Sequence, residues 1–206
     1  VTHSTAGEDD AIAAYFDSIP IVKGRFLDIG AANGITLSNT HRLALAGWTG
    51  VCVDANAQEL FNLNNLYWNN PNIEIVQGFI GASHGLKDFW NAKEANISTG
   101  SKRMQERGRE RTGARHCYIA GFTLDDIWKQ FGTDFHFVSI DLEDGSLDIM
   151  RNLHPELLKV VRIVCVEKLP PEAFFGENES GHIQEWGKVN GFRVLLETGE
   201  NVVLVK

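Results

Sequence analysis

Three sets of residues in this chain have types and spacings that could do chemistry. The first is Asp28-Ile29-Gly30-Ala31-Ala32-Asn33-Gly34, an acid followed by two glycines. Glycines at such points let the backbone come close to a ligand. The second is Asp54, twenty residues after Gly34, at the end of the apolar run "TGVCVD". An acid there can accept hydrogen bonds from both hydroxyls of a ribose, as acids do in nucleotide-binding folds. Ala55 and Asn56 follow it into the same region. The third is Asp141, Glu143 and Asp144, just after the apolar run "DFHFVSI".

The spacing D-x-G-x-x-x-G lacks the G-x-G-x-x-G pattern that seats a pyrophosphate on a helix start. A loop with a carboxylate ahead of it suits a ligand with positive charge and no phosphate. S-adenosylmethionine, with its sulfonium, ammonium and carboxylate, fits that description. Gly30 and Gly34 would admit it and Asp54 would hold its ribose. Gln77-Gly78-Phe79-Ile80 follows a third apolar run. Phe79 or Ile80 would cover an adenine ring there, or else belong to the core.

Asp141 could contact the donor's ammonium or orient an acceptor hydroxyl, and Glu143 could help hold the acceptor. The plainer reading makes them acids that complement the start of the next helix, and Asp144 fits that reading best. Asp141, Glu143 and Glu167 end strands and would offer oxygen ligands to Mg2+ or Ca2+. Acids at strand ends are common without metal, and no metal is the expectation. The histidines form no cluster. His116 and His182 are candidates for a general base near neutral pH, although a lone histidine is more often a surface residue.

These residues need elements to position them. Residues 9–18 read as a short amphipathic helix with Asp9 and Asp10 at its positive end. Residues 24–29 are the first strand. A helix is expected from Thr36 to Ala46, stopped by Gly47. "TGVCVDAN" is a strand ending at Asp54, and 57–69 a helix with Leu60, Leu63 and Tyr67 on one face. "NIEIVQGFI" reads as one strand. Residues 81–117 show little apolar period and read as a long excursion. "TLDDIWKQF" is a helix with Thr123 as N-cap. "DFHFVSID" is a central strand, "GSLDIMRNL" a helix, "VVRIVCVEK" a buried strand and 179–190 a helix. "FRVLLETGENVVLVK" closes as a hairpin with its turn at 198–201. Strands alternating with helices imply a parallel sheet covered on both faces, in one domain over 1–206.

The sequence resembles the FkbM-type methyltransferases, a class I methyltransferase family. The resemblance rests on "FLDIGAANGITLSNT", "GWTGVCVDAN", "FTLDDIW", "FVSIDLEDGSLDIM" and "VCVEK". The triplet Ser38-Asn39-Thr40 and the pair Gly47-Trp48 are its more specific parts. It implies a Rossmann-like α/β fold whose seven-stranded, mostly parallel sheet has the order 3-2-1-4-5-7-6, with strand 7 antiparallel. It implies S-adenosylmethionine as cofactor, S-adenosylhomocysteine as product, and a hydroxyl oxygen on a small molecule or glycan as acceptor. Donor-site residues carried over are Asp28, Gly30, Ala31, Asn33, Gly34, Ser38, Asn39, Asp54, Ala55, Asn56, Gly78, Phe79, Ile80 and Asp141. Asp141, Glu143 and His116 are the catalytic candidates. Two departures stand out. Asp144 replaces a glycine usual in the family, and Ser146 replaces a glutamate.

Composition narrows the alternatives. The chain has 206 residues and a net charge of −8, which disfavours a general nucleic-acid binder. Methyltransferases acting on nucleic-acid amines also carry Asn/Asp-Pro-Pro-aromatic where "SIDLED" stands here. A module that binds the donor without catalysis is the other alternative. Residues 102–115 hold six basic residues against two acids. That window is either a salt-bridged helix or part of a mobile insertion, about 94–117, that receives an anionic acceptor. No apolar run approaches the ~20 residues of a membrane span, and no signal peptide is visible. Cys52, Cys117 and Cys165 read as reduced thiols of a cytoplasmic protein. Oligomeric state and the identity of the acceptor stay open.

Overall fold

The computed structural model describes residues 2–91, 115–142, 145–169 and 178–206. The first 21 residues of the expected insertion, 94–114, fall outside that range, as do Glu143 and Asp144. In chain order the helices are α1 Glu8–Asp17, α2 His41–Leu45, α3 Ala57–Tyr67, α4 Leu124–Phe131, α5 Ser146–Arg151, α6 Pro155–Val160 and α7 Glu179–Val189. The strands are β1 Arg25–Ile29, β2 Thr49–Asp54, β3 Ile73–Gln77, β4 Phe79–Ile80, β5 Gly85–Asn91 and β6 Arg115–Phe122. They continue with β7 Phe137–Ile140, β8 Ile163–Glu167, β9 Arg193–Glu197 and β10 Asn201–Val205.

Seven strands form one sheet in the order β3-β2-β1-β7-β8-β10-β9. Pairs from β3 through β8 are parallel, while β10 runs antiparallel to both β8 and β9. With β7 to β10 counted as strands four to seven, this is the order expected from the sequence. The strands alternate between two cores. Leu27, Ile29, Val138 and Val164 face a cluster with α4, α5 and α7 through Ile127, Met150 and Ile183. Phe26, Cys52, Phe137 and Cys165 face the opposite cluster with α1, α2 and α3 through Phe16, Leu43 and Leu63. Burial on both faces explains why β7 and β10 read as mostly apolar runs rather than alternating ones. Helices as short as α2 cannot stand alone in water, so this packing holds them. No helix among the described residues is long and apolar enough to cross a membrane.

Four local expectations need correction. The helix expected over 36–46 begins only at His41. Side chains claim the preceding amides: Asn33 Oδ1 accepts from Ile35 and Thr36, and Ser38 Oγ accepts from Thr40 and His41. Leu37 is also held at φ 60°, which a helix interior excludes. Its far end behaves as expected: Gly47 N–H donates to Ala44 and Trp48 N–H to Leu43, a Schellman stop. The third run, "NIEIVQGFI", breaks at Gly78 into β3 and β4, which belong to different sheets. Gly78 sits at φ 154°, and a Cβ there would lie 2.4 Å from the Phe122 ring. The supposed loop 81–117 contains β5 and the start of β6. With β4 these make a second, three-stranded sheet in the order β4-β6-β5. Their outward face is polar and aromatic, so they lack a clean apolar alternation. Finally, α6 was not expected. Its signal is His154-Pro155, with His154 Nδ1 accepting from Glu156 N–H and Pro155 in the first turn.

Candidate functional site

The carboxyl ends of β1, β2, β3 and β7 meet where the sheet order turns back, which is where open α/β sheets bind ligands. The loop after β1 leaves the strand sharply. Gly30 and Ala31 N–H both donate to Val53 O of β2. Gly30 has φ 85°, and a Cβ on it would lie 1.7 Å from the Asp141 carbonyl oxygen. Gly30 is therefore the point where the loop crosses the end of β7, and Asp141 N–H in turn donates to Ile29 O at 2.8 Å. Ala32 is at φ 46°. At Gly34 a Cβ would lie 2.6 Å from the Leu63 side chain of α3, so that glycine docks the loop onto a helix. Ala31 is buried against α1 to α3.

Asp54 ties this loop to β2. Its Oδ2 accepts from Ala32 N–H at 2.8 Å and its Oδ1 from Asn56 N–H at 2.7 Å. Burial pushes its carboxyl above the usual range, while the backbone amides of Asn56, Ala32 and Ala55 oppose that shift. With about four lone-pair sites on a carboxylate, these amides leave Asp54 some acceptor capacity. Asn56 caps α3, its Oδ1 accepting from Gln58 and Glu59 N–H. Gly78 N–H donates to Asp54 O, which brings the end of β3 alongside. Of the two residues expected near an adenine, Ile80 is core, 2% exposed, and Phe79 is half-buried.

Asp28 sits differently from Asp54. It is buried in β1, between Cys52 and Ser139, and accepts from Thr40 Oγ1 at 2.6 Å. Burial raises its carboxyl to about 6, against the opposing hydrogen bonds of Thr40 and Ser139 and with a small push from Asp54. Its visible bond holds the Ser38-Asn39-Thr40 turn to the sheet. In the same layer Asn39 Nδ2 faces Ser139 Oγ at 3.5 Å and Cys165 Sγ at 3.6 Å. The Oδ1 of Asn39 is buried and has no hydrogen-bond partner among the described residues. A buried polar atom left so costs about 1–3 kcal/mol, which a ligand donor would offset.

The pH dependence of Asp28 has a definite sign. Its folded value of about 6 lies above the ordinary value of 3.8. Its stabilising contribution is therefore complete below pH ~4 and lost as pH rises through ~6, a change of about 3 kcal/mol. Asp28→Asn should match the parent protein at pH 4 and exceed it in denaturant midpoint above pH 6.5. Parallel curves for the two proteins over pH 4–7.5 would contradict this assignment.

The two described catalytic candidates, Asp141 and His116, lie at different elements. Asp141 ends β7 beside Gly30. Glu143 lies outside the described residues. His116 stands on the second sheet, with its Nε2 2.7 Å from Asp88 Oδ1. Ser146, one of the two departures, accepts from Leu142 N–H at 3.0 Å and faces Glu167 Oε2 at 3.5 Å. It links the ends of β7 and β8. Among the described residues no group of three or more His, Cys, Asp or Glu is arranged to hold a metal ion. Sequence reasoning missed the part Ser139 plays. A serine inside an apolar run was the available signal, since a buried hydroxyl needs partners.

Comparison with known proteins bears on the family and the fold. The family model described as Methyltransferase FkbM domain matches residues 28–194. Among solved structures, monomeric WbdD is similar with a TM-score of 0.55 at 13% identity, the match covering all of this chain. This chain spans 42% of the WbdD chain. An O-methyltransferase from Bacillus cereus in complex with SAH gives a TM-score of 0.53 at 12% identity, over all of this chain and 84% of that one. The ribosomal protein L11 methylase from Lactobacillus delbrueckii subsp. bulgaricus gives 0.50 at 11%, over 97% of this chain and 78% of that one. At these identities the likeness is one of fold, that of the class I methyltransferases.

Proposed function

Because this chain belongs to the FkbM methyltransferase domain family, matched over residues 28–194, we propose that it methylates a hydroxyl oxygen on a small molecule or glycan with S-adenosylmethionine. The observation that carries this reading is the joint at Asp54. One carboxylate organises the glycine loop through Ala32 and the start of α3 through Asn56, with acceptor capacity left over. That remaining capacity suits a ribose hydroxyl. The unpartnered Asn39 Oδ1 is a second fit, because a ligand ammonium would satisfy it. A bound donor supplies a methyl group already activated on a sulfonium, so the protein's share is alignment and water exclusion.

In this reading the backbone from Gly30 to Asn33 lines the donor's amino-acid end, and Gly34 fixes the loop on α3. Ser38 and Asp28 act through the turn they hold, as positioning residues. Ala55, Gly78 and Phe79 shape the nucleoside end, with Ile80 as backing. The acceptor oxygen must lose its proton during or after attack. The Asp141 carboxylate, at the end of β7, is the group assigned to orient or receive it. Incubating the protein and donor with a panel of hydroxyl compounds should release S-adenosylhomocysteine with at least one of them. Release that occurs with RNA or DNA alone would overturn the acceptor class.

A further inference from the structure

Glu59 is a buried carboxylate with no task at its own helix end. It stands in the first turn of α3, 7% exposed, and its Oε2 is buried with no hydrogen-bond partner among the described residues. A glutamate three residues after an N-cap ordinarily reaches back to the N-cap amide and closes a capping box. Here Asn56 is the N-cap, and its N–H donates to Asp54 Oδ1 at 2.7 Å instead. The amides of Gln58 and Glu59 already donate to Asn56 Oδ1. The start of the helix is thus capped without the Glu59 side chain.

Its position ties Glu59 to the glycine loop. Leu63 follows it by four residues and so lies on the same face of α3. Leu63 is the side chain that a Cβ at Gly34 would meet at 2.6 Å. Side chains on a helix lean toward its N-terminus, which aims Glu59 at the end of β2. Burial pushes the Glu59 carboxyl above the usual range, the Asn62 side chain opposes that with a hydrogen bond, and the charge of Asp54 adds to it. The two carboxylates therefore share one neighbourhood.

Lone pairs limit what Asp54 can do there. It accepts from the N–H groups of Ala32, Asn56 and Ala55. With about four sites on a carboxylate, roughly one is left. A ribose presents two neighbouring hydroxyls, and one site holds one of them. We propose that Glu59 takes the second, so that the two ribose hydroxyls of the donor are divided between Asp54 and Glu59. The last torsion of a glutamate is broad, so Oε2 can turn to a hydroxyl while the helix stays in place. That hydroxyl gives the buried oxygen the partner it lacks. This assignment rests on the donor reading proposed above and deepens it.

The test is a set of calorimetric titrations of the full chain with S-adenosylhomocysteine and its 2′-deoxy and 3′-deoxy analogues. Glu59→Met removes the acceptor and keeps the helix preference of the side chain. It should weaken S-adenosylhomocysteine about tenfold. Glu59→Gln, which keeps one acceptor oxygen, should weaken it less. One analogue should bind the parent and Glu59→Met alike, because the hydroxyl that Glu59 holds is already missing from it. The other analogue should show the full loss. Without ligand, Glu59→Met should melt at the parent's midpoint or above it, since an unpartnered buried oxygen is gone. Equal affinity of parent and Glu59→Met for S-adenosylhomocysteine overturns the assignment and returns both hydroxyls to Asp54. Equal losses on all three ligands overturn it too, and a lowered midpoint beside them makes Glu59 a support of α3. If Glu59→Met does not fold, the same analogue pattern is read on Glu59→Gln. A parent protein that binds none of the three ligands removes the donor reading itself.

Discussion

Gly30→Val is expected to lower the thermal midpoint by about 10 °C and to abolish donor binding along with it. A Cβ at this position would lie 1.7 Å from the Asp141 carbonyl oxygen, and the backbone sits at φ 85°. A β-branched residue in the left-handed region costs about 1–3 kcal/mol, and overpacking adds about 1–3 more. For a domain of this size each kcal/mol is worth about 2–4 °C. From sequence alone this substitution looks like a block to the ligand in an otherwise intact protein. The structure shows that the clash is first with the protein's own β7. Scanning calorimetry decides the matter: a variant that melts within about 2 °C of the parent contradicts the crossing of loop and strand.

Asp54→Ala should weaken binding of S-adenosylhomocysteine by about 1.5–3 kcal/mol, or about 10–150-fold. Two losses combine. The ribose hydroxyls lose a charged acceptor, and the amides of Ala32 and Asn56 lose theirs. Asp54→Glu keeps the carboxylate and should restore a part of the affinity, since the charged acceptor is retained. Unchanged affinity in the alanine variant, measured by titration calorimetry, would refute the placement.

Much of this architecture was legible because its signals are local. The glycine loop, Asp54 at a strand end, the Gly47 stop and the 198–201 hairpin turn each follow from a few adjacent residues. The order of the seven strands came through the family resemblance, and the observed pairings match it. What escaped was set by tertiary contact. Nothing within "NIEIVQGFI" says that the strand must break, because the reason lies across space at Phe122. The turn at 35–40 looks helical in composition, and only the side chains of Asn33 and Ser38 show why it is not. The hairpin of β5 and β6 lacks periodicity because rings occupy its solvent face. Asp28 and Asp54 look alike in sequence. The structure separates them, burying one beneath Thr40 and setting the other at the joint of the loop.

A pair of calorimetric titrations of the full chain, one with S-adenosylhomocysteine and one with NAD+, tests whether the loop takes a nucleoside donor. The loop has D-x-G-x-x-x-G spacing and a carboxylate at the next strand end, which suits a nucleoside donor without a pyrophosphate. A single site for S-adenosylhomocysteine and no measurable heat with NAD+ are expected. Saturable binding of NAD+ with none of S-adenosylhomocysteine would contradict this.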